Sequence, residues 1–197
     1  MTEVATFADV PAIRALIAAA YHDDPMTEWL FADEQTRPHA CAAWYGLFVE
    51  QYIAIGRASL LHEDGEVVAV ALWRRPGDAP LSPTGVPSIS GLMSALIGTE
   101  HGAELGEALH AVGGVQETQP HVYVNFLAVA PDRQRAGFGR RVVQPVLAAA
   151  RAEGLCVRLE TTNPANYAFC AALGFREVGR LQLASGGPLL RALRLDL

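Results

Sequence analysis

Apolar residues recur every three or four positions in several stretches of the chain, which is typical of amphipathic helices. The first such stripe consists of Ile13, Leu16, Ile17 and Ala20. It follows Asp9, a typical N-cap residue, and the proline at position 25 ends the pattern. Two further helical patterns occupy residues 26–55, and Pro38 is expected to divide them.

Short apolar runs rich in β-branched and aromatic residues predict strands. Residues 58–62 and 67–73 flank Asp64-Gly65, a dipeptide typical of a two-residue hairpin turn. Residues 121–130 carry apolar side chains on both faces, as expected for a central strand. The middle of the sheet is therefore predicted to lie in this last run.

Between and after these strands the chain alternates helix and strand. Residues 76–87 are predicted to form a loop, and residues 88–112 to be helical with interruptions at Gly98, Gly102 and Gly106. Further elements are predicted as a helix at 138–153, a strand at 155–162, a helix at 164–173 and two strands on either side of 185–188. This order predicts an α/β (α+β) fold in one domain spanning residues 1–197.

Composition and charge narrow the classes of protein to consider. A chain of 197 residues with 51% hydrophobic and 18% charged residues has the composition of a globular protein. Its net charge of −6, without a dense basic run, argues against nucleic acid or anionic lipid as a partner. No apolar run is long enough to cross a membrane and the N-terminus lacks signal-peptide features, so a cytoplasmic location is expected. Three widely spaced cysteines indicate neither a disulfide framework nor a metal site.

Residues 130–140, between a predicted strand and helix, contain the densest chemical signal. The first N–H groups of such a helix lack intrahelical partners and point into the turn, where they can bind an anion. Gly137 and Gly139 allow a phosphate to approach the backbone closely. Positive charge comes from Arg133, Arg135, Arg140 and Arg141. Two glycines that merely cap a helix in a solvated basic turn would give the same pattern.

Two motifs in this half of the chain resemble those of the GNAT superfamily of N-acetyltransferases. Gln134-x-x-Gly137-x-Gly139 resembles its pyrophosphate-binding signature, whereas P-loop and dinucleotide fingerprints fit poorly. Residues 163–175 resemble its Asn-rich helix, which ends in Leu-Gly-Phe. Residues 159–161 and 163–166 are most similar to puromycin N-acetyltransferase and its relatives.

The resemblance implies a mixed sheet of about seven strands, flanked by helices, whose two central parallel strands splay apart to admit acetyl-CoA. These strands would be residues 121–130 and 155–162, with a bulge near 127–129 that presents an N–H to the thioester. Acetyl-CoA would be the cosubstrate, with no metal. Its implied contacts are backbone groups of Leu127, Ala128, Val129, Gln134, Arg135, Ala136, Gly137, Phe138, Gly139 and Arg140, and the side chain of Asn163.

The resemblance also suggests catalytic and acceptor-binding residues. Glu160 is the first candidate for the base that takes the amine proton, although a solvated or core-paired glutamate would look the same. Cys170 stands where most relatives carry the tyrosine acid, and Tyr167, on the same helix, could supply a hydroxyl or simply pack. By strand alternation, Tyr123 and Asn125 share the face of Leu127 and are expected to contact the acceptor. An acidic group could attract a cationic amine, although a solvated helix face would carry the same residues: Asp23, Asp24, Glu28, Asp33 and Glu34.

The resulting hypothesis is an N-acetyltransferase that transfers acetyl from acetyl-CoA to a primary amine of a small molecule, such as an antibiotic or other xenobiotic. One alternative is an acyl-CoA-binding module with little catalysis, suggested by Cys170. Another is an enzyme that acetylates a protein N-terminus or lysine. A monomer or a homodimer is expected, since the apolar strands at 181–184 and 189–195 could pair across a dimer or lie in the core.

Overall fold

One mixed sheet runs through the protein. The computed structural model describes residues 1–78, 89–112, 119–184 and 186–197. Within them the strands are β1 (Thr2–Val4), β2 (Ala58–Glu63), β3 (Glu66–Arg74), β4 (His121–Val129), β5 (Cys156–Thr161), β6 (Arg176–Gln182) and β7 (Leu189–Leu195). Their order is β1-β2-β3-β4-β5-β7-β6, and β4 and β5 form a parallel pair in an otherwise antiparallel sheet. The predicted seven-strand architecture is confirmed.

Helices cover both faces of this sheet. They are α1 (Val10–Ala20), α2 (Pro25–Leu30), α3 (Arg37–Ala54), α4 (Ile89–Ile97), α5 (Thr99–Val112), α6 (Phe138–Val142), α7 (Gln144–Glu153) and α8 (Asn166–Leu173). Helices α1 to α5 pack on one face around a first apolar cluster, and α6 to α8 pack on the other around a second. Among the described residues, no helix is both long and apolar enough to span a bilayer.

One proline and one glycine lie at helix boundaries on the first face. Pro38 lies in the first turn of α3, where its missing N–H has no consequence, so the expected division of residues 26–55 at this proline is wrong. The break falls at residues 31–36 instead. The buried Arg37 side chain stabilises this link, since its Nε donates to the Phe31 carbonyl at 2.8 Å. Of the three glycines expected to interrupt residues 88–112, Gly98 alone separates α4 from α5, with a φ of +88°.

Pro145 divides the helix expected at 138–153 into α6 and α7. Because proline has no N–H, the Arg141 carbonyl loses its partner four residues later in the chain. That carbonyl accepts from Thr2 Oγ1 at 3.4 Å instead. The N-terminal strand is thereby attached to the helix that follows the glycine-rich turn.

The predicted hairpin is confirmed, and several other boundaries shift. Asp64 and Gly65 have φ values of 52° and 84°, as a two-residue turn of this type requires. The sequence pattern missed β1 and placed the start of β6 too late, because β6 is half exposed and carries few apolar residues. Much of the loop expected at 76–87 lies outside the described residues, as does Ser185.

A bulge in β4 falls at Asn125 and not near residues 127–129 as expected. On β3, Leu72 pairs with Phe126 and Trp73 with Val124, which leaves Asn125 as an extra residue. The extra residue reverses the alternation of side chains. Val122 and Val124 pack in the second apolar cluster, and beyond the bulge so does Leu127. Tyr123 and Leu127 therefore lie on opposite faces, and the expectation that they share one is wrong.

Candidate active site

The two central parallel strands separate partway along their length. Backbone pairing joins residues 121–123 of β4 to residues 156–158 of β5, from His121–Cys156 to Tyr123–Arg158. Beyond Tyr123 and Arg158 the described strands diverge. The gap opens into a cavity of about 920 Å³, whose walls come from both strands, the 134–140 turn, α1, α3 and α8.

Most of the residues predicted for the site line this cavity. They are Tyr123, Asn125, Leu127, Ala128, Val129, Gln134, Arg135, Gly137, Gly139, Arg140, Glu160, Asn163 and Cys170. Ala136 and Phe138 are not among the described lining residues. Ala136 is exposed, whereas the Phe138 side chain is buried in the second cluster with the Arg141 guanidinium 5.1 Å from its ring centre.

The 134–140 turn has the geometry needed to bind an anion. Gly137 is the N-cap of α6 and has a φ of +86°, which a side chain would strain. The first hydrogen bond of α6 is the one that Arg141 N donates to Gly137 O at 3.1 Å. The N–H groups of residues 138–140 therefore have no partner within the helix and point into the turn. A Cβ at residue 139 would lie 3.2 Å from Phe169 Cζ, so glycine keeps the turn close to α8. These features fit the diphosphate of coenzyme A.

The backbone of Leu127 faces the gap between the separated strands, and Tyr21 covers it. Leu127 N–H donates to the Tyr21 hydroxyl at 3.3 Å, and the same hydroxyl donates to Leu127 O at 3.2 Å. These two backbone groups would continue the ladder with β5 if the strands stayed together. Because the strands separate, the Leu127 N–H and C=O groups can bind a ligand that displaces the Tyr21 hydroxyl.

Glu160 is a largely buried carboxylate at the point where the strands part. Tyr123 donates a hydrogen bond of 2.5 Å to Glu160 Oε2. Burial raises the pKa of Glu160, while the Tyr123 hydrogen bond and the charges of Arg158, His121 and Arg74 oppose the rise. A carboxylate with a raised pKa is a better proton acceptor near neutral pH.

Asp24 places a second buried carboxylate in the cavity wall. It caps α2 by accepting from Met26 N at 3.0 Å, and it accepts from Thr162 Oγ1 at 3.2 Å at the end of β5. The Asn163 side chain also hydrogen-bonds to it. Burial raises the pKa of Asp24 despite these donors. This carboxylate joins the helices on the first face to the far end of β5.

Aromatic rings form the wall of the cavity on the side of α1 and α3. Phe126 is central, with its ring centre 5.3 Å from that of Tyr45, 5.4 Å from that of Phe48 and 6.0 Å from that of Tyr21. Trp44 extends the cluster by packing edge-on against Phe48 at 5.6 Å. Together with the two carboxylates, these rings form a pocket suited to an amine with an apolar body.

The comparison with known protein families agrees with this geometry. Residues 12–175 match the model of the acetyltransferase (GNAT) family. The chain belongs to the GNAT acetyltransferase family. It is therefore an acetyl-CoA-dependent N-acetyltransferase, and acetyl-CoA is the cosubstrate of the family. Among the described residues no group of His, Cys, Asp and Glu could hold a metal ion.

Solved structures share the fold of this GNAT chain at low sequence identity. A "histone acetyltransferase HPA2 and related acetyltransferase" from Corynebacterium glutamicum ATCC 13032 is 22% identical, with a TM-score of 0.73 over 98% of this chain and 94% of that one. The Drosophila melanogaster polyamine N-acetyltransferase is 15% identical, with a TM-score of 0.63 over 100% and 99%. The ribosomal-protein-S18-alanine N-acetyltransferase of Escherichia coli is 17% identical, with a TM-score of 0.56 over 99% and 92%. These likenesses show the fold alone.

Two residues predicted for the GNAT site lie elsewhere. Tyr167 is not among the described residues that line the cavity, because its ring packs against the Arg191 guanidinium, 4.1 Å from the ring centre. Glu28 is half exposed, with its carboxylate 4.0 Å from Arg37 Nη1, and is likewise absent from that lining. Cys170 does line the cavity and is buried, and burial raises the pKa of its thiol to about 11.

Tyr21 was not predicted as a site residue of this GNAT enzyme, whereas Asp24 was expected only as one of five acidic residues that could attract the amine. A signal for Tyr21 was present, since it continues the buried series of Ile13 and Ile17 at intervals of four residues. Nothing local indicates that Asp24 reaches Thr162, because 138 positions separate them in the chain. Such a contact depends on tertiary structure.

Proposed function

We propose that the chain transfers the acetyl group of acetyl-CoA to the primary amine of a small molecule by direct attack in a ternary complex. The observation that supports this is a continuous cavity in which the Leu127 backbone, the Glu160 carboxylate and the aromatic wall all meet. One end of this cavity fits the cosubstrate and the other fits a compact apolar amine. Both substrates can therefore be held in contact without a covalent enzyme intermediate.

The cosubstrate would bind along the gap left by the two strands. The 134–140 turn would bind the diphosphate through backbone N–H groups, with Arg135 and Arg140 nearby in the lining. The Leu127 N–H, now bonded to Tyr21, would donate to the thioester carbonyl and stabilise the negative charge that develops there. Backbone groups of Ala128 and Val129 complete the proposed contact. Asn163 is assigned a supporting role through Asp24.

Glu160 is assigned the role of general base. It lies in the cavity, its carboxylate is held by Tyr123, and burial moves its pKa towards the pH at which an amine must lose its proton. The base accepts the proton from the attacking nitrogen. Tyr123 and Asn125 would contact the acceptor beside it, since both line the cavity.

The acceptor proposed is an amine with an aromatic or apolar body. Rings at Tyr45, Phe48 and Phe126 supply the apolar wall, and Asp24 supplies buried negative charge for the ammonium group before it is deprotonated. The similarity of residues 159–161 and 163–166 to puromycin N-acetyltransferase and its relatives extends the proposal to an antibiotic or other xenobiotic. We further expect a cytoplasmic enzyme that is a monomer or a homodimer.

Release of coenzyme A across a panel of amines tests the proposal. The panel should contain arylalkylamines, aliphatic polyamines, aminonucleosides and a lysine-containing peptide, with the product identified by intact mass. Acetylation of arylalkylamines or aminonucleosides with high kcat/KM is expected. Efficient modification of the peptide alone would contradict the proposal, and so would coenzyme A binding without turnover on any acceptor.

A further inference from the structure

Tyr21 holds a hydroxyl at the reacting end of the cavity. The hydroxyl both accepts from Leu127 N–H and donates to Leu127 O, at 3.3 and 3.2 Å, so it lies beside the backbone that the proposed function assigns to the thioester carbonyl. The ring is fixed against Tyr45 and Phe126, with ring centres 5.4 and 6.0 Å away. The hydroxyl is therefore positioned by packing and not by its own hydrogen bonds alone.

Cys170 occupies the position at which the proton donor to sulfur is expected. Most relatives carry their tyrosine acid at this position, as the sequence resemblance implies, and here the residue is a buried thiol that lines the same cavity. Cys170 and Asp24 both lie close enough to Tyr21 to add to the rise that burial causes in the pKa of its phenol. Tyr21 and Cys170 line the same cavity, and burial keeps the Tyr21 phenol protonated at neutral pH.

The other described tyrosines around the cavity are engaged elsewhere. Tyr123 donates to Glu160, and the Tyr45 hydroxyl shares a 2.8 Å hydrogen bond with Thr27. Tyr167 packs against Arg191 away from the cavity. Tyr21 is thus the hydroxyl among them that contacts the Leu127 backbone, in the cavity that Cys170 of α8 also lines.

We propose that Tyr21 is the proton donor to the departing sulfur of coenzyme A, in place of the tyrosine that relatives carry at the position of Cys170. As the acceptor nitrogen forms its bond to the acetyl carbon, the carbon–sulfur bond breaks and its electron pair stays on sulfur. Sulfur takes the Tyr21 proton, and Glu160 takes the proton that the nitrogen loses. Return of that proton through solvent to the Tyr21 phenolate resets both residues and leaves an amide and a free thiol.

This inference rests on the proposed function, and the experiment separates the two. Wild-type enzyme without turnover on any amine contradicts the function, whereas an active wild type permits the test of Tyr21. The Tyr21→Phe variant keeps the ring and its packing, so its melting temperature and its calorimetric affinity for coenzyme A should match wild type. Its kcat is expected to fall by about 10²-fold or more, as for loss of a general acid.

Two further variants examine the position of the hydroxyl. Tyr167→Phe should keep most of the turnover, because that side chain lies outside the described lining. Adding Cys170→Tyr to Tyr21→Phe should restore part of the lost kcat by returning a hydroxyl to α8.

A second pair of variants tests the proposal if Tyr21→Phe fails to fold. Tyr21→His supplies a ring N–H donor and is expected to retain more turnover than Tyr21→Leu of equal stability.

Several results would overturn the assignment. One is a Tyr21→Phe enzyme with the kcat of wild type. Another is a loss of kcat that accompanies an equal loss of coenzyme A affinity and of thermal stability, which would indicate a structural role. A Tyr167→Phe enzyme as impaired as Tyr21→Phe would also contradict the proposal, as would equal turnover of the histidine and leucine variants.

Discussion

The Tyr123 hydroxyl donates a 2.5 Å hydrogen bond to Glu160 Oε2 immediately beyond the point where β4 and β5 cease to pair. Tyr123 is also the residue whose backbone makes the last pair, with Arg158, so one residue ends the ladder and begins the site. The Arg74 guanidinium lies 4.9 Å from the centre of the Tyr123 ring and keeps it in place. The proposed base is therefore oriented by the strands that separate around the ligand.

Glu160→Gln should lower kcat by about 10²- to 10⁴-fold at neutral pH, because the amide cannot accept the amine proton. The acidic limb of the pH–rate profile should disappear as well. Coenzyme A release at several pH values measures both effects. Glu66→Gln, an exposed residue at the start of β3, is the matched control and should behave as wild type. A Glu160→Gln enzyme with an unchanged profile would exclude Glu160 as the base.

Tyr123→Phe should move the acidic limb of kcat/KM to higher pH. The base works as a carboxylate, so activity is lost as the pH falls through the pKa of Glu160. Burial already raises that pKa, and the Tyr123 hydrogen bond lowers it in part. Removing the hydroxyl leaves burial less opposed, and the pKa rises further. A limb that stays in place or moves to lower pH would contradict this account of the pair.

The sequence predicted the parts of this protein that depend on local chemistry. The Asp64-Gly65 hairpin and the glycine-rich turn at Gly137 follow from residues adjacent in the chain. The bulge at Asn125 could not be predicted in this way, since apolar residues stand on both sides of it. The change of register shows only in the pairing of β4 with β3. The contact between Tyr21 and Leu127 spans 106 positions and has no local signature.

Gly137→Ala should weaken binding of coenzyme A by about tenfold or more, which corresponds to about 1.4 kcal/mol. A side chain at a φ of +86° strains the backbone by about 1–2 kcal/mol and reorients the N–H groups of the turn. Gly154→Ala is the matched control, because it carries the same kind of strain, at a φ of +65°, at the far end of α7. Both variants should lose thermal stability, whereas calorimetry should show reduced affinity in Gly137→Ala alone. Equal affinities in the two variants would contradict the assignment of the turn.

Asp24→Asn should raise KM for the amine about tenfold, the effect of about 1.4 kcal/mol of lost attraction, with little change in coenzyme A affinity. The amide oxygen can still cap α2 and accept from Thr162, so the fold should persist while the buried negative charge is lost. Asp9→Asn is the control, since that carboxylate bonds Thr6 far from the cavity. An unchanged KM for a cationic amine would show that Asp24 serves structure alone.

The extra residue in β4 divides one strand between two tasks. In the proposed function Tyr123, before Asn125, orients the base, and the peptide groups of Leu127, after it, would bind the acyl donor. In the proposed function the acyl donor binds through main-chain N–H and C=O groups of Leu127, whereas the acceptor contacts side chains. Substitutions in the aromatic wall could then change the preferred amine while the main-chain contacts to the acyl donor persist.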